Sequence, residues 1–198
     1  MHLIQLICWL SLSLLAAPEK KEILRYEVIG KGKPVGELTI TREINGHKTR
    51  YRSLNKTKVS LLKTFRIRHE LEAIFENGEL VYSEVTVEVN DNVHNHTRIE
   101  RDGQQYRVYR EGKQINTISR PVHYTAIHLY FQEPTDQSEV FSEQEAIWQP
   151  IRRSEEASFD YLLDKKGKTN LYRYEDGRMT HAELGHWLMS TELRLIES

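Results

Sequence analysis

The sequence predicts an all-β protein: a strongly curved antiparallel sheet, or half-barrel of hairpins, wrapped around one short apolar helix. Three observations predict this fold. Tight-turn signals recur along the chain, apolar and polar residues alternate between them, and a single apolar segment interrupts the alternation. No repeat of fixed period and no long linker divides the chain, which indicates a single domain.

The turn signals are pairs in which glycine follows Asn or Asp, with two weaker relatives in which it follows Glu or Lys. Glycine adopts the positive φ that tight hairpin turns require. Segments rich in β-branched and aromatic residues lie between the turns, for example 81–89, 105–110 and 169–175. Their alternation predicts strands with one face on a core. The pairs are Asn45-Gly46, Asn77-Gly78, Asp102-Gly103, Asp176-Gly177, Glu111-Gly112 and Lys166-Gly167.

The hairpin around Asn77-Gly78 allows a more detailed prediction. A two-residue loop would mix charged and apolar side chains on both faces, whereas a bulged turn with Phe75 opposite Glu79 separates them. We therefore predict the bulged register, with His69 on the apolar face. Its apolar pairs are Phe65 with Val89, Ile67 with Val87, His69 with Val85 and Ala73 with Val81, and its polar pairs are Arg66 with Glu88 and Arg68 with Thr86.

The segment from Pro121 to Phe131 breaks the β pattern. Ser119 or Arg120 can cap a helix there, proline suits the first turn, and Pro134 prevents continuation. On a helical projection its apolar side chains cover an arc of roughly 220°. The sequence therefore predicts a helix near 121–131 that is enclosed on most sides, with a buried strand as the alternative.

The N-terminal residues predict export. Residues 3–17 are apolar and uncharged, but the run is shorter than the roughly 20 residues that span a membrane. We predict a signal peptide at 1–17, followed by one domain at 18–198; a buried N-terminal strand or helix is the alternative. Cys8, the only cysteine, would leave with the peptide, which excludes disulfides, thiol catalysis and cysteine metal sites. A cysteine-free exported chain favours the periplasm or cell envelope of a bacterium.

Three segments resemble an uncharacterised family of exported bacterial proteins, known only as a domain of unknown function. They are VSLLKTFRIRHELEAIFENGELVYS (59–83), PVHYTAIHLYFQEP (121–134) and VFSEQ (140–144). The resemblance implies a periplasmic or envelope protein with a curved antiparallel sheet around one helix. That architecture is broadly similar to the half-barrel of lipoprotein carriers and outer-membrane lipoprotein receptors, an analogy that assigns no function.

The sequence shows no pattern typical of catalysis. It lacks a GxSxG elbow, an SxxK pair, a glycine-rich phosphate loop and an HExxH metal motif. His94 and His96 share a strand face but lack a third ligand at interpretable spacing, so we interpret them as surface residues. We predict a protein that is not an enzyme and has no metal or cofactor. With 28 basic and 29 acidic residues, the chain is not expected to bind nucleic acid.

Charge is segregated along the chain. Residues 48–68 contain eight basic and no acidic side chains, and residues 70–88 contain six acidic and no basic ones. This pattern is explained by cross-strand pairs that neutralise one another. The alternative is a basic strip that faces anionic lipid or polysaccharide, favoured by Lys56 and Lys58, which have no obvious partner.

These observations predict a non-enzymatic envelope protein that binds a hydrophobic ligand, such as a lipid or acyl chain, between sheet and helix. The alternative is an interaction module with a filled core that docks another envelope component. His69 and His123 are either core residues or polar groups that line a cavity. The predicted ligand-binding residues are Phe65, Ile67, His69, Leu71, Val85, Val87, Tyr124, Ile127 and Phe131.

Overall fold

The structure is a computed structural model that describes residues 19–60, 63–157, 160–165, 168–185 and 190–197. The predicted signal peptide and the turn signal at Lys166-Gly167 lie outside these residues. The strands are β1 (Lys20–Gly30), β2 (Lys33–Asn45), β3 (Lys48–Ser60), β4 (Thr64–Glu76), β5 (Glu79–Val89), β6 (Asn92–Asp102), β7 (Gln105–Arg110), β8 (Lys113–Ile118), β9 (Glu139–Ser142), β10 (Ile147–Arg153), β11 (Asp160–Lys165), β12 (Lys168–Glu175), β13 (Arg178–Leu184) and β14 (Thr191–Glu197).

The described strands form one antiparallel sheet of fourteen strands, which confirms the predicted all-β class. Their order is β8-β7-β6-β5-β4-β3-β2-β1-β14-β13-β12-β11-β10-β9. Each half is a run of consecutive hairpins, and the halves meet where β1 pairs with β14. The sheet is not closed, because β8 and β9 each pair with only one other described strand. The crossover 119–138 joins these two edge strands.

The sheet curls until strands from its two ends touch. Thr97 Oγ1 in β6 donates a hydrogen bond to the Gln144 carbonyl in the β9–β10 turn, at 2.9 Å. Arg110 in β7 donates to the carbonyl of Glu145 in the same turn, at 3.5 Å. In a flat sheet β6 and β10 would be roughly 48 Å apart, at about 4.8 Å per strand. The fold is therefore barrel-like although its edges do not pair.

Alternation along the strands produces the core. In β1, Leu24 and Tyr26 are fully buried, whereas Arg25 between them is exposed. Several buried tyrosines satisfy their hydroxyls: Tyr26 donates to the Met179 carbonyl at 2.9 Å, and Tyr174 donates to the Leu129 carbonyl at 2.8 Å. These two rings therefore fill the interior without leaving their own hydroxyl donors unpaired.

The predicted register of the β4–β5 hairpin is wrong by two residues. Its faces are assigned correctly except beside the turn, where Leu80 is buried opposite Phe75 and Val81, predicted opposite Ala73, falls at the bulge. A two-residue turn at Asn77-Gly78 places Glu76 opposite Glu79, and the bulge lies inside the strand, between Ile74 and Phe75. Both turn residues have positive φ, of 51° and 76°, as a tight hairpin turn needs. This bulge separates the apolar from the polar face, which is the effect that we predicted for a bulge at the turn. The observed pairs are Ile67 with Val89, His69 with Val87, Leu71 with Val85, Ala73 with Ser83 and Arg68 with Glu88.

The predicted helix over 121–131 is much shorter in the structure. Only Ala126–Tyr130 is helical, as a 3₁₀ helix, and residues 121–124 are not helical. The Val122 carbonyl accepts from Leu80 N–H at 2.9 Å, and the Tyr124 carbonyl accepts from Phe141 N–H at 3.1 Å. Because these carbonyls bond to neighbouring strands, they are not available for a continuous α-helix.

Candidate functional site

A cleft of about 730 Å³ lies between the start of β3, the end of β4, the crossover 119–138 and β10. Its walls come from sheet strands and from the crossover, so they are distant in sequence. The lining residues are Thr49, Tyr51, Phe75, Gly78, Arg120, Pro121, His123, Tyr124, His128, Gln132, Asp136, Gln137, Ser138, Glu139 and Trp148.

Aromatic rings form the inner wall of the cleft around His128. The imidazole stacks on Tyr124 with centroids 5.2 Å apart. It also meets the Phe75 ring edge-on at 4.6 Å and the Tyr51 ring at 5.0 Å. Alternation in β3 and β4 directs Tyr51 and Phe75 inward, and the 3₁₀ helix presents His128 to them. The wall is a rigid surface suited to apolar or planar groups.

His128 is neutral at physiological pH. Its Nδ1 accepts the backbone N–H of Thr125 at 3.2 Å, so the ring proton is on Nε2. Burial is the main cause that lowers the pKa of His128, to about 3, and the positive charge of Arg42 acts in the same direction. The residue therefore serves as a fixed polar group in the aromatic wall, and its protonation state does not change near neutral pH.

Polar groups of the crossover form the rim of the cleft. Arg120 forms an ion pair with Glu139, and its guanidinium lies 4.0 Å from the centroid of the Trp148 ring. His123 Nδ1 donates to the carbonyl of Gly78 at 3.0 Å. Arg120 is exposed apart from these contacts. The cleft thus joins an aromatic interior to a charged mouth.

A buried carboxylate supports the 3₁₀ helix from outside the cleft. Glu143 is 1% exposed, and its Oε1 accepts the N–H of Ile127 at 3.3 Å. Burial raises the pKa of Glu143, while hydrogen bonds from Thr125, Ile127 and Ala126 lower it. Because the helix is only five residues long, this carboxylate fixes its first turn and so positions His128.

The structure does not gather the nine predicted ligand-binding residues into one pocket. Tyr124 lines the cleft, and Ile67 lines a second groove of about 330 Å³. Phe131 is half-buried under the Arg42 guanidinium, 4.6 Å from its ring centroid. Three others are buried in the core: Leu71, Val85 and Ile127. The remaining three are half-buried on the inner face of the hairpin: Phe65, His69 and Val87.

Sequence reasoning missed most of the cleft. Tyr51 and Phe75 could have been found, because strand alternation directs them inward with the other apolar residues of β3 and β4. The sequence indicates Arg120 only as a helix cap, and His123 as a residue that could line a cavity. No sequence signal marks Trp148, which reaches the cleft because β9 and β10 follow the crossover back to it.

The histidines at 94 and 96 both lie on β6. His94 is exposed, and His96 Nε2 lies 2.9 Å from Glu84 Oε1. Within the described ranges, no group of three or more His, Cys, Asp or Glu side chains could hold a metal ion. Across the same residues, the structure contains no helix with the length and apolar character needed to cross a membrane.

The fold and cleft define a barrel-like antiparallel β protein. The chain belongs to the family of the domain of unknown function DUF6134, whose model matches residues 26–196. The predicted membership of an uncharacterised family with barrel-like architecture is thereby confirmed. No curated protein matches the sequence.

Among solved structures, the chain is similar to the beta-barrel-like protein of domain of unknown function DUF1849 from Brucella abortus. The TM-score is 0.50 at 10% identity, over 92% of this chain and 97% of that one. At this identity the likeness concerns the fold alone.

Proposed function

We propose that this is an exported cell-envelope protein, not an enzyme, which binds an amphipathic ligand such as a fatty acid or another acylated lipid in the cleft. The observation that carries the proposal is an open cleft of about 730 Å³ with an aromatic inner wall. This volume lies within the range of about 300–1,000 Å³ that is typical of ligand sites, and the lining combines aromatic rings with polar groups.

The division of the cleft into two zones indicates an amphipathic ligand. An acyl chain would pack against Tyr51, Phe75 and Tyr124. The polar end would lie at the mouth, where Arg120 and Gln132 offer donors. Since Glu139 and Asp136 also line the mouth, its net charge is small, and we expect binding to depend more on apolar contact than on a charged head group.

We further propose that the sheet wraps around the 3₁₀ helix, so that the helix forms one wall of the ligand site. Contacts on several sides support this: the Tyr130 ring lies 5.6 Å from that of Tyr26, and Leu129 accepts from Tyr174. His128 contacts Phe75 of β4, six strands from the β12 residue Tyr174. A flat sheet would separate these two strands by roughly 29 Å.

Ser138→Phe tests the proposal. Ser138 is an exposed cleft residue, and a phenyl group there would fill the mouth. We expect wild-type protein purified from a bacterial envelope to release a lipid on organic extraction, seen by mass spectrometry. We also expect fatty acid at ten times its Kd to raise the wild-type Tm by roughly 3–6 °C. S138F should lose both effects.

The matched control is Thr117→Phe, which adds the same ring to the exposed edge strand β8. It should keep the extracted lipid and the thermal shift. Wild-type protein that carries no lipid and gains no stability from fatty acids would contradict the proposal.

An interaction module remains the second candidate, and one observation favours it. Strand β8 is a sheet edge whose residues 113–117 are exposed, including the Ile115 side chain at 51%. Such an edge can pair with an added strand from another envelope protein. In that case a partner would protect the β8 amides from hydrogen exchange, and S138F would have no effect on binding.

A further inference from the structure

The outward face of the β3–β4 ladder changes its charge pattern partway along. Near the β2–β3 turn the pairs have opposite signs: Lys48 Nζ lies 3.9 Å from Glu76, and Arg52 Nε lies 3.2 Å from Glu72. Arg50 Nε is also 3.4 Å from Glu72. This half of the ladder follows the neutralising arrangement that the sequence predicts.

The other half of the ladder places cation opposite cation. Lys56 is the direct partner of Arg68, and Lys58 is the direct partner of Arg66. All four side chains are exposed, on the face opposite the buried Thr57 and Val59. Like charges directly opposite each other on a sheet are destabilising, so the fold alone does not explain this arrangement.

Among the described residues, neighbouring carboxylates form ion pairs with the two arginines but not with the two lysines. Arg66 forms an ion pair with Asp91 at 2.8 Å, and Arg68 forms one with Glu70. In the described part of the chain neither Lys56 nor Lys58 has an ion pair, although Glu37 is the residue opposite Lys56 on β2. Two ammonium groups are therefore left facing solvent beside two oriented guanidinium groups.

These side chains share a groove of about 330 Å³, several residues along β3 from the cleft. Four cations and two carboxylates line it, together with three other residues. The complete lining is Val35, Lys56, Thr57, Lys58, Arg66, Ile67, Arg68, Glu88 and Asp91. The groove has room for a small anion, and within its lining the cations outnumber the carboxylates by four to two.

We infer that this groove binds a phosphate group. A phosphate oxyanion between Lys56 and Lys58 would accept charge-assisted hydrogen bonds from both and would offset the repulsion across the two cation pairs. Asp91 forms the ion pair with Arg66, and Glu88 is the residue opposite Arg68 on β5. Both carboxylates therefore lie on the arginine side, which leaves the lysine side for the ligand. The same chemistry fits a soluble phosphate ester or the head group of an anionic lipid.

The test compares two double substitutions with equal loss of charge. Lys56→Gln with Lys58→Gln alters the groove, and Lys20→Gln with Lys113→Gln alters two exposed lysines elsewhere. Amide shifts are followed by NMR in titrations with inorganic phosphate. Wild-type protein and the K20Q/K113Q control should bind phosphate with similar Kd and shift the amides of residues 56–58 and 66–68. K56Q/K58Q should bind at least about tenfold more weakly.

A sedimentation experiment with lipid vesicles identifies whether the phosphate belongs to a lipid head group or to a soluble ligand. Vesicles of phosphatidylcholine, with and without phosphatidic acid, are sedimented with each protein. Co-sedimentation that requires phosphatidic acid and is lost in K56Q/K58Q assigns the site to a lipid head group. Binding of inorganic phosphate without such co-sedimentation assigns it to a soluble ligand. If neither probe binds, or if both double variants lose binding equally, the inference is overturned.

Thermal unfolding supplies a readout that a purely structural role would not change. At low ionic strength phosphate should raise the Tm of the wild-type protein and of K20Q/K113Q, because it relieves the cation pairs, but not that of K56Q/K58Q. An equal rise in all three proteins would contradict the inference. The cleft variant S138F should retain phosphate binding, so this test is independent of the proposed ligand site.

Discussion

At the scale of single residues, aromatic side chains form the wall of the cleft and polar side chains supply its hydrogen-bonding groups. Rings from β3, β4 and the crossover surround His128, and the Thr125 N–H fixes its tautomer. A neutral histidine in an aromatic wall can donate its Nε2–H to a ligand without burying a positive charge. The sequence suggested a lining role for His69 and His123. His123 does line the cleft, and His128 is a second lining histidine that the sequence did not indicate.

The depressed pKa of His128 predicts a specific dependence of stability on pH. In the unfolded chain a histidine takes up a proton near pH 6.5, whereas folded His128 does so only near pH 3. Between these values the unfolded state binds more protons, so acidification from pH 6.5 towards 3 lowers the free energy of unfolding. We expect His128→Gln to remove this loss, which for one proton is at most about 1.4 kcal/mol per pH unit.

Denaturant unfolding of both proteins at several pH values measures this difference. His94→Gln is the control, because His94 is exposed and should leave the pH dependence unchanged. If the free energy of unfolding changed with pH in the same way for wild-type protein and H128Q, the lowered pKa of His128 would be contradicted.

At the scale of secondary structure, the sequence predicts faces better than registers. The alternation in β4 and β5 assigns one face correctly, because the face that a strand residue occupies depends only on whether its position is odd or even. The residues assigned to that face are Ile67, His69, Val85 and Val87. It does not determine where the extra residue of a bulge falls. A bulge at the turn and a bulge between Ile74 and Phe75 separate the faces equally well, and they differ by two residues in register.

The segment 121–131 shows the same limit. Its apolar composition correctly indicates burial, since Val122, Tyr124, Ile127 and Leu129 are all buried. Composition does not reveal that strands β5 and β9 supply partners for its backbone carbonyls. Once those bonds form, an extended stretch followed by one 3₁₀ turn buries the same side chains without a long helix.

Close backbone packing between β2 and β3 predicts a large effect of one substitution. A Cβ on Gly36 would lie 2.1 Å from the Lys56 carbonyl oxygen and 2.8 Å from Thr57 Cα, both backbone atoms that cannot move aside. We expect Gly36→Ala to lower the free energy of unfolding by about 2–3 kcal/mol, measured by denaturant titration.

Gly185→Ala is the matched control. A Cβ there would lie 3.1 Å from Cδ and 3.3 Å from Cβ of Lys168, so that side chain needs to shift by only a few tenths of an ångström. We expect an effect below about 1 kcal/mol. Equal losses for G36A and G185A would mean that β2 and β3 do not approach as closely as described.

At the scale of the whole molecule, curvature creates the candidate site. The contacts that bring the sheet ends together join residues far apart in sequence, such as Thr97 and Gln144. The crossover then passes between those ends and places Arg120 against Trp148. Side-chain alternation cannot encode such contacts, so the sequence predicted a concave apolar face but not the cleft at its mouth.

The central claim is that an acyl ligand occupies the cleft beside Trp148, and fluorescence quenching tests it most directly. In a chain with Trp9→Phe and Trp187→Phe, Trp148 is the only tryptophan. A fatty acid with bromine on its chain should quench this emission with saturation, and adding Ser138→Phe should abolish the quenching. Emission that does not change, or that falls equally with and without S138F, would contradict the claim.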